Sequence, residues 1–75
     1  MSKEKDILAK IGDFIGKKAA IKFKSNVELA NVSDVDEKTI RRILAGQQNV
    51  SIKVLKRICD ALDLKLSELM KETGY

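Results

Sequence analysis

Histidine, proline and tryptophan are absent from the 75-residue chain, cysteine occurs once, and there are only two phenylalanines and one tyrosine. Each shortage removes a class of explanation. A single cysteine forms no internal disulfide, and without histidine a zinc site lacks its usual ligands. A reducing cytoplasm is therefore the expected location. The opening "MSKEKDILAK" mixes charge with apolar residues and holds no run suited to a signal peptide, and no stretch approaches the length of a membrane span. Without histidine, a glycine-rich phosphate loop or metal-ligand spacing, an enzyme is not expected, and no cofactor is expected either. Cys59 falls on the apolar side of its helix and reads as a small buried hydrophobe, not a nucleophile. The absence of proline and the rarity of alternating β-branched residues predict an all-α chain.

What is present is charge, unevenly placed. Net charge is +4. Residues 1–16 balance, residues 17–57 carry ten basic against four acidic side chains, and residues 58–75 are slightly acidic. A basic middle favours a polyanionic partner. The lysines at 17, 18, 22 and 24 are read as a solvated or phosphate-facing edge in preference to a membrane surface.

Apolar spacing divides the chain into five short helices, read as one domain over residues 1–75. Ile7, Leu8, Ile11, Phe14 and Ile15 form a first stripe, interrupted by Gly12 and Gly16 and followed by "IKFK", either a brief extended link or a last helical turn. "SNVE" at 25–28 has the form of a capping box opening a second helix. Asp36 is a good N-cap for a third, which should stop near Ala45 with Gly46 in a left-handed conformation. Ser51 should cap a fourth helix that puts Val54, Leu55, Ile58, Cys59 and Leu62 on one face. Ser67 should cap a fifth.

The third helix carries the functional signal. At about 100° per residue, Ile40, Ile43 and Leu44 gather on one side, while Lys38 and Arg42 lie opposite, flanked by Arg41 and the small Ala45. A purely solvated face would explain this with a Glu37–Arg41 pair worth about 0.2–0.5 kcal/mol.

"ELANVSDVDEKTIRRILAG" followed by "NVSIKVLKRICDALDLKLSEL" resembles the phage repressor and Cro family of helix-turn-helix proteins. The matching positions are Leu29, Ala30, Val35, Thr39, Ile40, Ile43, Gly46, Ser51, Leu55, Ala61, Leu62 and Leu69, within a resemblance that spans about residues 11–70. It implies a compact five-helix domain of the lambda-repressor type, with the helix-turn-helix at about 25–46. It implies a sequence-specific transcriptional regulator that sets the helix at about 36–45 into the major groove of double-stranded DNA. Glu37, Lys38, Arg41 and Arg42 would then face base edges, Arg42 reaching bases or backbone. Asn26, Thr39, Gln47, Gln48 and Asn49 would meet the backbone or support the helix. Arg and Lys bond guanine O6 and N7, and Glu accepts from cytosine N4.

The chain departs from the family at Asp34, where glycine is usual, and at Val50, where proline is usual. At Ala19 and Leu44 the family often has an Arg–Glu ion pair, and both charges are missing together. Such regulators bind paired half-sites as two-fold dimers. A weak homodimer on palindromic DNA is therefore expected, with Leu64, Leu66, Leu69, Met70 and Tyr75 as interface candidates, Leu66 and Leu69 being equally suited to closing the monomer's own core. The alternative is an antitoxin-like interaction module that binds a partner protein and autoregulates.

Overall fold

The computed structural model describes residues 3–47 and 49–74, with side chains from Asp6 onward. Gln48 and Tyr75, expected at the backbone-contacting loop and the dimer contact respectively, lie outside the described residues. Five α-helices and no strand occur among the described residues: α1 Lys3–Lys22, α2 Asn26–Ser33, α3 Glu37–Leu44, α4 Ile52–Ala61 and α5 Leu66–Thr73. None is long and apolar enough to cross a membrane.

Every helix gives large side chains to one core. Ile11 and Ile15 come from α1, Leu29 from α2, Ile40 and Ile43 from α3, Leu55 and Ile58 from α4, and Leu69 from α5, all essentially fully buried. The helix α1 lies against α3 and α5, α2 against α3 and α4, and α4 against α5. Val50, in place of the family's proline, is buried in the same cluster. Among the described residues, the two buried polar side chains bond within their own helices: Ser33 Oγ donates to Leu29 O at 2.7 Å and Thr73 Oγ1 to Leu69 O at 2.7 Å.

The uncertain "IKFK" resolves as helix. The helix α1 continues through Lys22, and Phe23 N–H donates to Ala19 O at 2.7 Å. Ala19 is buried and Phe23 packs on the core, so burial of this last turn holds the helix where no capping residue marks its end. Gly12 also has a reason. A Cβ there would sit 2.6 Å from the backbone oxygens of both Ile43 and Leu44, so α1 crosses the C-terminal end of α3 in near-backbone contact. Gly46, at φ +69°, lies on the same seam, where a Cβ would stand 3.1 Å from Ala9 Cα.

Two expectations need correction. Ser67 does not cap α5. It is an exposed residue inside the first turn, and the N-cap is Lys65, which makes no side-chain cap bond. The start of α5 places partly buried Leu66 and fully buried Leu69 on the core-facing side, so packing, not a cap, sets it. Leu69 is consequently committed to the monomer's core and is removed from the dimer candidates.

Four helices, α2 to α5, end on a left-handed residue. Past α4, Asp63 at φ +57° occupies a left-handed position, its N–H donating to Asp60 O at 3.2 Å while Leu64 N–H donates to Cys59 O at 2.8 Å. This is the paired-bond Schellman stop. Related stops close α2 at Asp34 and α3 at Gly46. The Lys22 ammonium bonds the exposed Asp63 carboxylate and joins the end of α1 to this turn. As an exposed pair it contributes at most about 1 kcal/mol.

Candidate nucleic-acid interface

Two short helices and a three-residue turn build the site. Ser25 Oγ accepts from Glu28 N–H at 3.2 Å and opens α2. The capping box is half reciprocal. Glu28 Oε1 accepts from Lys24 N–H at 3.4 Å, one residue before the cap, not from Ser25 itself. At the far end Asp34 adopts φ +58°, ψ +40°, and Val35 N–H donates to Ala30 O at 3.1 Å. Aspartate tolerates this left-handed region better than most residues, so the turn forms without the family's glycine. Val35 is buried and pins the turn to the core.

Asp36 then caps α3, its carboxylate accepting from Lys38 N–H at 3.0 Å. At the other end Ala45 N–H donates to Arg41 O, Gly46 N–H to Ile43 O and Gln47 N–H to Arg42 O, at 2.9–3.1 Å. An eight-residue helix is marginal on its own. Here both ends are capped and its apolar side, Ile40 and Ile43, is buried, so its orientation is fixed by the core.

The outward side is polar and accessible. Lys38, Arg41, Arg42 and Ala45 are all exposed, and the methyl-sized Ala45 between the cationic side chains lets another surface approach the helix closely. Thr39 is half-buried at the flank. Glu37 differs from the other three expected base contacts. Its carboxylate Oε2 lies 3.2 Å from Arg41 Nε, and it lines a groove shared with Val27 and Asn31 of α2. Glu37 thus sits at the α2-facing edge of the polar face, already engaged with a neighbour.

The expected backbone contacts lie at the start of α2 and in the loop after α3. Asn26 is the exposed first residue of α2 and lines a cleft with Ala19, Phe23 and Leu44. That cleft joins α1, α2 and the end of α3. Ala19 and Leu44, which replace the family's ion pair, thus share an apolar junction. An apolar replacement of a buried pair avoids the desolvation of two charges. Gln47 and Asn49 are exposed in the loop after α3. Two exposed lysines adjoin these positions: Lys24, beside the Ser25 cap and on the edge read from the sequence as solvated or phosphate-facing, and Lys53, in the first turn of α4. Lys53 was not among the expected contacts, and the basic middle of the sequence was its only signal.

Cys59 is fully buried. Its thiol pKa is raised, first by burial and then by the nearby Asp60 carboxylate, so the uncharged form is favoured. Such a thiol is a poor nucleophile.

A family model described as the Cro/C1-type HTH DNA-binding domain matches residues 17–72, a span that includes all of α2 to α4 and most of α5. No curated protein matches the chain significantly.

Proposed function

Because the chain belongs to the Cro/C1-type helix-turn-helix DNA-binding family, we propose that it is a sequence-specific transcriptional regulator that inserts α3 into the major groove. The observation that carries this reading is the division of α3. Ile40 and Ile43 are 1% and 2% exposed, while Lys38, Arg41 and Arg42 are exposed on the opposite side of a helix fixed at both ends. Long cationic side chains on a rigid helix suit acceptor atoms at base edges. Asn26, Gln47 and Asn49, with Lys24 and Lys53, supply phosphate contacts that set register without reading sequence. Thr39 supports α3 from its flank.

One such helix reads only a few base pairs, so the protein acts as a weak homodimer on a palindromic site. Within the C-terminal segment Leu64, Leu66 and Met70 remain partly accessible and form the contact. Duplex selection from a random pool, followed by salt-dependent titration, tests the reading. A recovered palindrome bound with a steep salt slope supports it, and enrichment of no sequence refutes it.

One observation favours a second reading, in which a partner protein binds away from α3. An open groove between α1 and α5 is lined by half-buried Phe14, by Ile21 at 85% exposure, and by lysines 17 and 18 with Glu68 and Glu72. No residue of α3 lines it. Cross-linking in the native cell tests this: a partner lost on Ile21→Asp, with DNA binding unchanged, supports the second role, and the absence of any cross-linked partner removes it.

A further inference from the structure

We propose that Glu37 governs base preference through Arg41, as a positioning residue for its guanidinium, and makes no base contact of its own. This rests on the reading of α3 as the DNA-reading helix. The two residues lie one turn apart, with Glu37 Oε2 3.2 Å from Arg41 Nε. A guanidinium is planar and carries five N–H donors in a fixed fork. The ion pair falls on the Nε edge of the fork, without a hydrogen bond to the carboxylate, so charge attraction biases where the guanidinium lies and the contact does not use the two Nη groups. Those two groups are the ones an end-on pair of bonds to guanine O6 and N7 requires.

Burial separates the two roles. The Arg41 side chain is 62% exposed and Glu37 only 39%. Glu37 lines the groove toward Val27 and Asn31 of α2, at the edge of the polar face, whereas Arg41 extends from the accessible side. A base-reading carboxylate would need to leave both the groove and the guanidinium. Exposed pairs of this spacing add little to helix stability, so the orientation of Arg41 is their main consequence. The pairing also cancels charge beside the DNA. Arg41 therefore adds selectivity with little general attraction to phosphate, whereas Lys38 and Arg42, outside this pair, add attraction as well as base contacts.

The test measures affinity for a selected duplex and for every single base-pair change within it, using wild type, Arg41→Ala, Glu37→Ala and Glu37→Gln, with thermal melts to show that each variant folds. Arg41→Ala is expected to lose a preference of roughly 5- to 150-fold at one G·C pair. Glu37→Ala is expected to lose roughly 2- to 10-fold of that preference, at the same base pair. It should also bind a scrambled duplex more tightly, with a steeper salt slope, because a negative charge has gone. Glu37→Gln, which keeps the length of the side chain but not its charge, should lose the preference at the same base pair as Glu37→Ala does. Loss of preference at a different base pair from that of Arg41→Ala overturns the proposal, because Glu37 then reads a base directly. Unchanged preferences in Glu37→Ala also overturn it. A wild type with no preference at any position overturns the DNA-reading role itself, and this inference with it.

Discussion

Gly12→Ala and Gly16→Ala are the same chemical change four residues apart on α1, and they should have opposite signs. In a helix interior alanine is favoured over glycine by about 0.8–1 kcal/mol. At Gly16 a new Cβ meets only Leu44 Cδ2 at 3.8 Å, an ordinary contact, so that gain is realised. At Gly12 the Cβ would lie 2.6 Å from the carbonyl oxygens of Ile43 and Leu44. Ordinary carbon–oxygen contacts begin at about 3.3 Å, so α1 and α3 must separate by roughly 0.7 Å. A gap of that size forfeits about a quarter to a half of the dispersion well depth for each opposed atom pair. Overpacking of this kind costs about 1–3 kcal/mol. The propensity gain is common to both, so Gly12→Ala should be less stable than Gly16→Ala by the overpacking cost, roughly 1–3 kcal/mol. In thermal melts this is a gap of roughly 4–20 °C. The displaced carbonyls belong to the last turn of α3, so Gly12→Ala should also bind DNA less tightly at temperatures where it is fully folded. If Gly12→Ala melts at or above Gly16→Ala, the close crossing of α1 and α3 is wrong.

The remaining expectations concern the core, the thiol and the dimer. Leu55→Ala or Ile58→Ala, each at a fully buried position, should cost about 2–5 kcal/mol in urea unfolding, and a wild-type midpoint would contradict the packing of α4. The Cys59 pKa is raised by burial, with Asp60 adding to the effect. The native state therefore keeps its proton after the unfolded chain has lost it, and stability falls as pH rises above the ordinary thiol value. The stability of wild type relative to Cys59→Ala should decline above about pH 9, and a pH-independent difference would contradict this environment. Met70→Asp should reduce two protomers per palindromic duplex to one in sedimentation, and retention of two would move the interface off α5.

The parts of the fold that were legible in the sequence are those specified locally. Asp36, Gly46 and Ser51 act through the backbone within a few residues of themselves, and each performs the role its position implies. The apolar face of α4 was equally plain, because Leu55, Ile58, Cys59 and Leu62 recur at helical spacing. The end of α1 was not legible, since Ala19 and Phe23 hold it by packing on residues distant in sequence. Ser67 misled for a related reason. A serine near a helix start resembles a cap, but burial of Leu66 and Leu69 begins the helix earlier. The left-handed turn at Asp63 was not legible either, because nothing local distinguishes a left-handed aspartate from any other exposed one. At the candidate site, the exposed face of α3 followed from periodicity. The setting of Glu37 did not, because the groove it lines is formed with α2, across the turn.

The most direct test of α3 as the sequence-reading element is a competitive titration of wild type, Lys38→Ala and Arg42→Ala on a selected duplex and on a scrambled duplex of equal length. Arg42→Ala should weaken binding to the selected duplex by about 1–3 kcal/mol if it makes paired bonds to a base. Wild type should prefer the selected duplex at every salt concentration, and both variants should narrow that preference. Equal affinity of wild type for the two duplexes, or an unchanged preference in both variants, would contradict the assignment of α3.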